Sequence, residues 1–213
     1  MNTIITTNDG SSTLYSNNFE ETYHSLHGAR AESFYVFVKQ GLEFSNKTRL
    51  NIFEMGFGTG LNCLLTFMSC KNKKIHYHSI EKYPLTMKEY ANFMANLDTK
   101  DHLIYEHIVY SNWGKSTLLS PNMKLFKHHE DITTCEIGQD IDVVYYDAFS
   151  PRKQPELWKK PILKKMYDCL NTDGVFVTYC AQGQLKRDLK SLGFYVETLP
   201  GPPGKREMIR AIK

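Results

Sequence analysis

Three alternate glycines and a set of acids, each placed where a strand gives way to a loop, are the residues whose types and spacing suit chemistry. Leu50, Ile52 and Phe53 form a short apolar run ending in Glu54-Met55-Gly56-Phe57-Gly58-Thr59-Gly60, and Leu61, Leu64, Leu65 and Met68 follow at helical spacing. That order predicts a strand, a glycine turn and a helix. Glycines at alternate positions let the backbone pass close to a ligand, because no Cβ stands in the way. The helix that follows points its free amides at the same ligand. A dinucleotide fingerprint needs a small residue one position later, where Leu61 stands, so a nicotinamide dinucleotide is disfavoured. The next strand ends at Glu81, 21 residues beyond Gly60. An acid at that distance sits at the tip of the neighbouring strand and can accept hydrogen bonds from both ribose hydroxyls of an adenosine ligand; its bland alternative is a helix N-terminal acid near Pro84. Asp131, at the tip of a third strand, can accept from an adenine amino group, and so can its neighbour Glu130.

Alternating strand and helix periods must position these groups. Strands are predicted at 50–55, 75–81, 123–129, 141–147, 174–180, 193–199 and 206–212, and helices at 60–70, 85–96, 155–170 and 182–191. The alternation implies an α/β fold with a mainly parallel, seven-stranded sheet covered on both faces. The last two strands have no helix between them, so Pro200 to Gly204 should turn an antiparallel hairpin at the sheet edge. Residues 1–48 carry enough aromatic side chains, Phe19, Tyr23 and Phe37 among them, to form an extension packed on a catalytic domain at 49–213. The stretch from Asp98 to Pro121 is long for a loop and should hold a helix near Leu103 to Tyr110.

The 213 residues suit one α/β domain with a small appendage. Five cysteines without a C-x-x-C pair point to reduced thiols in a cytoplasmic protein. The polar Met1 to Ser12 segment and the absence of any run near ~18 apolar residues argue against secretion and membrane spanning. His76 with His78, and His128 with His129, lack the spacing of a metal motif, so no metal is expected. Neither a G-x-S-x-G elbow nor a phosphate-binding G-x-x-x-x-G-K-S/T loop is present. Net charge is only +3, but Arg152, Lys153, Lys159, Lys160, Lys164 and Lys165 face the single acid Glu156 within one stretch. Such a run either attracts a polyanion or forms a solvated helix face. Trp158 and Phe149 can stack on a nucleobase, although Trp158 can equally pack with Leu163 and Met166. Lys205 and Arg206 can bind phosphate or hold the C-terminal hairpin.

The E-x-G-x-G-x-G turn resembles the first motif of class I S-adenosylmethionine-dependent methyltransferases, in which the glycines face the methionine part and ribose of the cofactor. The resemblance implies cofactor-binding roles for Glu54, Gly56, Gly58 and Gly60 beside Glu81 and Asp131. Asp147-Ala148-Phe149-Ser150-Pro151 is similar to the D/N-P-P-F/Y loop of amine methyltransferases. Methyl transfer from a sulfonium is an in-line displacement that gains from alignment and from a neutral attacking amine. Asp147 can orient that amine and take its proton, or it can merely cap the turn.

A longer match is more specific. Asp142 to Trp158 resembles the D-x-x-x-x-D-x-F-x-P-x-K-N-P-x-x-W signature of the methyltransferase family that completes 5-methylaminomethyl-2-thiouridine in tRNA. Phe19 to Tyr23, Ala31 to Phe37, Glu54 to Asn62, Glu81 to Leu85 and Gly204 to Met208 resemble further blocks of that family in the same order. Here Gln154 replaces the commoner Asn and Ala148 the usual Gly, which bears on the shape of the acceptor pocket. The resemblance implies N-methylation of 5-aminomethyl-2-thiouridine at the tRNA wobble position. Asp147 would be catalytic, and Phe149, Pro151, Lys153, Trp158, Lys205 and Arg206 would meet the substrate. Many relatives fuse this module to a flavin-dependent oxidoreductase, and this chain ends after the methyltransferase, so a separate enzyme is expected to supply the aminomethyl intermediate. The competing readings are an aminopropyltransferase, which would want an acidic acceptor groove, and a noncatalytic RNA-binding scaffold, which has no need of the glycines, Glu81 or Asp147.

Overall fold

The apolar run that ends in the glycine turn forms a strand in the middle of the larger of two sheets. The computed structural model describes residues 2–213; Met1, with which the polar leading segment begins, lies outside them. The leading segment folds into β1 (Thr3–Thr6), β2 (Ser12–Ser16) and β3 (Glu21–Thr22), an antiparallel sheet in the order β1-β2-β3. It continues as α1 (Ala29–Ser33), which runs on into a π-wound helix, Phe34–Leu42. The remaining elements are β4 (Arg49–Met55), α2 (Leu61–Ser69), β5 (Lys74–Ile80), α3 (Met87–Met94), α4 (His102–Val109), β6 (Ser116–Ser120), β7 (Met123–His128), β8 (Ile141–Tyr146), α5 (Lys160–Cys169), β9 (Leu170–Thr178), α6 (Gly183–Leu192), β10 (Tyr195–Pro200) and β11 (Glu207–Ile212).

The large sheet runs β10-β11-β9-β8-β4-β5-β7-β6. Strands β9, β8, β4, β5 and β7 are mutually parallel, and β10-β11 forms the antiparallel hairpin expected at one edge. Among the described residues the sheet has eight strands rather than seven. The addition is β6, which pairs antiparallel with β7 at the far edge. Only Leu119 of Ser116–Ser120 is buried, so its sequence lacks the alternation that marks a strand packed on one side. The helix expected over 155–170 begins instead as a 3₁₀ turn, Pro155–Trp158, and the backbone is extended at Lys159 before α5 starts.

Alternation along the strands sorts two cores to the two faces. On one face Leu50, Ile52, Tyr77, Leu125, Val143 and Tyr145 meet α2, α3, α4 and the π-wound helix. On the other, Val144, Tyr146 and Phe176 meet Ile162, Leu163 and Met166 of α5 and Leu185 and Leu189 of α6. Burying each large apolar side chain contributes about 1.5–3 kcal/mol, and Leu163, Met166 and Leu189 are fully enclosed. Helix α3 is started by a capping box, in which Thr86 Oγ1 accepts from the Glu89 amide and Glu89 Oε2 accepts from the Thr86 amide at 2.8 Å. The consequence for chemistry is topological. The parallel strands β4, β5, β7 and β8 all end at one rim, which therefore collects Gly56, Glu81, Asp131 and Asp147.

Candidate active site

That rim encloses a cleft of about 540 Å³. Gly56 and Gly58 form part of its wall, with φ of 89° and 49°, values an L side chain seldom adopts. A Cβ on Gly56 would stand 2.8 Å from the Asp147 carbonyl, and one on Gly58 would stand 3.0 Å from the Tyr23 ring. The third motif glycine, Gly60, is buried behind the cleft and serves as the left-handed residue that starts α2. Glu81 also lines the cleft, where Oε2 accepts from the Gly58 amide at 3.1 Å and Oε1 from the Tyr83 amide at 2.9 Å. Burial raises its pKa. The carboxylate therefore belongs to the glycine turn rather than to the first turn of α3.

Asp131 reaches the cleft as well, yet its oxygens are already engaged. Oδ1 accepts from the Thr133 amide and hydroxyl at 2.9 and 2.7 Å, and Oδ2 pairs with Lys82 at 2.8 Å. The Lys82 hydrogen bond, ahead of those from Thr133, holds its pKa at about 2. Neighbouring Glu130 is exposed on the cleft wall.

Asp147 follows the last residue of β8, and its amide donates to the Met55 carbonyl at 3.0 Å, which locks it beside the glycine turn. Asn62 on the first turn of α2 donates Nδ2 to Asp147 Oδ2 at 2.7 Å. The other oxygen has no hydrogen-bond partner among the described residues. Burial pushes the Asp147 pKa up to about 7; the Asn62 bond works the other way, and the opposed charges of Glu32 and Lys205 follow as smaller influences.

Behind Asn62 lies Glu54, completely buried, with Oε2 accepting from the Ser79 hydroxyl at 2.6 Å. Its desolvation raises the pKa to about 8. Glu54 does not reach the cleft, because its side chain alternates onto the face that packs against α2. The structure places Glu54, expected among the cofactor-binding residues, behind the turn and outside the cleft lining. Its Oε1 and the Oδ1 of Asn62 are both buried without a partner. A neutral Glu54 carboxyl can donate where a carboxylate cannot.

The other side of the cleft is built by the loop after Asp147 together with the leading segment. Phe149 stacks on Phe19 with ring centroids 4.6 Å apart and meets Tyr23 edge-on at 4.9 Å. Gln154 Oε1 accepts from the Phe149 amide at 3.1 Å, so the residue that departs from the family's Asn pins this loop. Glu21 Oε2 accepts from both the amide and the hydroxyl of Ser150, and Glu20 pairs with Lys153 at 3.0 Å. Lys153 and Pro151 thus shape the loop from outside the cleft lining. Trp158 is buried, edge-on to Tyr146, and donates Nε1 to the Phe149 carbonyl at 2.8 Å. It packs and supports the loop and is not accessible for stacking on a base. Lys205 pairs with Glu32 at 2.6 Å above the Tyr179 ring, a contact that ties the C-terminal hairpin to α1; Arg206 is exposed away from the cleft lining.

Sequence reasoning gave no site role to Asn62, Phe19, Tyr23, His24 or Gln154. Asn62 lay within the motif, where an amide one position after an apolar helix start was the available signal. Buried His24 shares a 2.8 Å hydrogen bond with Thr59, and its contact with the turn across 35 residues has no local signature. Of the basic run, Lys164 pairs with Asp168 and Lys165 donates to the carbonyls of Ile132 and Cys135, while Arg152, Lys159 and Lys160 are exposed without a partner among the described residues. Among those residues no three His, Cys, Asp or Glu side chains converge to hold a metal, and no helix is long and apolar enough to cross a membrane.

A cleft at the carboxyl rim of a mainly parallel sheet, walled by a glycine turn and a strand-tip acid, is the arrangement of an enzyme that takes an adenosine-containing cofactor. The chain belongs to a family of S-adenosyl-L-methionine-dependent methyltransferases, whose model matches residues 105–213. It is 29% identical to the tRNA 5-methylaminomethyl-2-thiouridine biosynthesis bifunctional protein MnmC of Cupriavidus metallidurans, over 96% of this chain and 33% of that protein. The protein of the same name from Hydrogenovibrio crunogenus is 31% identical over 89% of this chain and 31% of its own length. The chain thus spans about a third of the curated relatives it matches. The crystal structure of MNMC2 from Aquifex aeolicus superposes with a TM-score of 0.78 at 24% identity, covering 99% of this chain and 69% of that one. That likeness establishes the same fold.

Proposed function

We propose that this chain transfers a methyl group from S-adenosyl-L-methionine to the amino group of 5-aminomethyl-2-thiouridine at the tRNA wobble position. The cofactor supplies an electrophilic methyl on a sulfonium. The residues present fit it: Gly56 and Gly58 leave bare backbone on the wall, Glu81 offers a carboxylate for ribose hydroxyls, and the acids of the lining suit a cation. Asp131, already tied to Thr133 and Lys82, holds the loop against which an adenine would lie.

The observation that carries the reading is the Asp147 carboxylate, fixed by Asn62 at 2.7 Å with a pKa near 7. An alkylamine is protonated at neutral pH and must lose a proton before it can attack. A carboxylate that titrates near the working pH can take that proton, which an ordinary aspartate near 3.9 does poorly. Asn62 leaves one oxygen for the acceptor, and Phe149, stacked on Phe19, gives a planar base a flat neighbour. The acids face inward, where an aminomethyl group would enter. The unpaired Arg152, Lys159 and Lys160 follow the same loop outward, where phosphates would lie. The names of the relatives supply the nucleoside. A primary amine is needed as acceptor, so a reaction that unmasks it must come first, and we assign that step to a separate activity.

The test is methyl transfer to tRNA carrying 5-aminomethyl-2-thiouridine, read by nucleoside mass analysis. Gain of one methyl on that nucleoside is expected, and an unchanged nucleoside overturns the proposal. Asp147→Ala should bind the cofactor within about threefold of wild type yet lose most turnover; normal turnover would refute the role given to the acid.

A further inference from the structure

The crossover from β7 to β8, residues 129–140, contains no helix. Helices α5 and α6 cover the β8 and β9 side of that face, and Ile132 of the crossover packs in one cluster with buried Ile80 at the rim, so the part of β5, β7 and β6 away from the rim faces outward. An uncovered sheet face is ordinarily polar on alternate residues. This one is polar but rich in flat rings. In-register pairing places His78 beside Phe126, Ile80 beside His128, and His76 beside Lys124 on one surface. The rings of His78, Phe126 and His128 are each only partly buried; His78 lies stacked beside Phe126 and His128 at 5.9 and 5.6 Å, and Phe126 and His128 meet at a tilt with centroids 4.4 Å apart. Next to them Leu118 of β6 is 57% exposed.

The charge around this ring cluster has one sign along most of its length. Arg49, Lys74 and Lys124 are exposed at the foot of the same face and have no ion-pair partner among the described residues. They line a second cleft of about 550 Å³, shared with His76. The acid in that cleft, Asp142, is already held by Lys47 at 2.6 Å. Glu130 stands at the opposite end, near His128 and the rim of the methyl-transfer cleft. Burial lowers the pKa of His78 and His128, which favours their neutral rings.

From these observations we infer that the open face of β5, β7 and β6 is a binding platform for a single-stranded stretch of RNA, with bases on the His78, Phe126 and His128 rings and phosphates on Arg49, Lys74 and Lys124. Flat rings on an uncovered sheet accept any base, and unpaired cations beside them track the backbone without reading sequence. A protein partner would want apolar area continuous with Leu118, whereas the surroundings are cationic. The inference rests on the tRNA reading above, and gives the tRNA a second hold beginning at the rim where the wobble base enters. The open part of β5 runs from Lys74 to His78, five residues or ~13 Å, enough for two stacked bases.

The experiment measures affinity for tRNA carrying 5-aminomethyl-2-thiouridine by fluorescence anisotropy, alongside the methyl-transfer assay. Lys74→Glu with Lys124→Glu changes only exposed side chains. It should weaken tRNA binding at least tenfold and lower the slope of log K against log salt by about 1.4, the share of two single-strand phosphate contacts. Phe126→Leu should weaken binding about tenfold at unchanged slope, because it removes stacking but no charge. Cofactor affinity and kcat at saturating tRNA should stay at wild-type values while KM for tRNA rises. If wild-type protein binds and methylates the tRNA, and the charge-reversed variant binds it equally well, the platform is refuted and the function stands. If wild-type protein binds the tRNA through this face but transfers no methyl, the platform stands and the function falls. A self-association that the same substitutions abolish would also overturn the inference, since the face would then belong to a second copy of this chain.

Discussion

Replacing Asn62 by leucine tests the idea that an amide on α2 sets the basicity of Asp147. The side chain is 2% exposed, and leucine repeats its branching with the same number of heavy atoms but more bulk, so in a variant that folds and binds cofactor the informative change is loss of the 2.7 Å bond from Nδ2 to Asp147 Oδ2. A hydrogen bond to a charged group contributes about 1.5–3 kcal/mol. Because it favours the carboxylate over the acid, its loss raises the pKa by roughly one to two units at 1.36 kcal/mol per unit. The starting value is about 7. The Asp147 carboxylate must be unprotonated to accept a proton, so the acid limb of kcat/KM against pH should move from near neutrality to roughly pH 8–9. At pH 7 the rate should fall about five- to fiftyfold, and above pH 9.5 it should recover most of the loss. The assay is methyl transfer from radiolabelled cofactor over pH 6 to 10, with cofactor affinity measured separately by calorimetry. An acid limb that stays in place in a folded, cofactor-binding variant would refute the argument, as would a rate loss equal at every pH.

Two further outcomes follow from buried carboxyl groups. Glu81→Ala should weaken cofactor binding by about 1–3 kcal/mol, roughly five- to 150-fold, through the hydrogen-bonding groups left unpaired, while kcat at saturating cofactor changes little; unchanged calorimetric affinity would contradict the ribose role. Glu54, with its pKa raised from 4.5 to about 8, holds a proton in the fold that the unfolded chain releases above pH 4.5, so its contribution is fully present below pH 4.5 and lost as pH rises through 8. Wild-type Tm should fall by several degrees from pH 5 to 8.5, Glu54→Gln should flatten that part of the curve, and parallel curves would show the proton is not there.

How much of this was legible depended on the range of each interaction. Strand β4, the glycine turn and α2 follow one another within 21 residues, and their apolar periods and turn residues are local, so both the elements and the rim position of Glu81 could be read. The position of Asp147 was legible because β8 is apolar from Val143 to Tyr146 and the acid follows at its end. Strand β6 was not, since one buried leucine makes no period. Trp158 shows the limit from the other side. Its aromatic ring fits stacking on a base and packing in the core equally well by composition, and only the meeting of the 3₁₀ turn with Tyr146 and the Phe149 carbonyl decides for packing. For Glu54 the motif marks a position at a strand end, while the face it alternates onto depends on where α2 packs. The Glu20, Glu21, Phe19 clasp on the Phe149 loop joins residues about 130 apart, and nothing local announces such a contact.

The pieces on α2 and β4 form one mechanical unit. Asn62 can orient Asp147 only if α2 starts where Gly60 places it, and Gly60, left-handed itself, closes a turn already bent through Gly56 and Gly58. The same turn presents the bare backbone on which the cofactor reading relies. Cofactor wall and base orientation are therefore set by a single backbone path, so a substitution that shifts the turn should damage both together. Asn62→Leu should damage only the second, because its side chain leaves the helix after the turn is complete. Separating those two effects in one enzyme distinguishes a carboxylate tuned by its neighbour from one that merely happens to lie at the end of a strand.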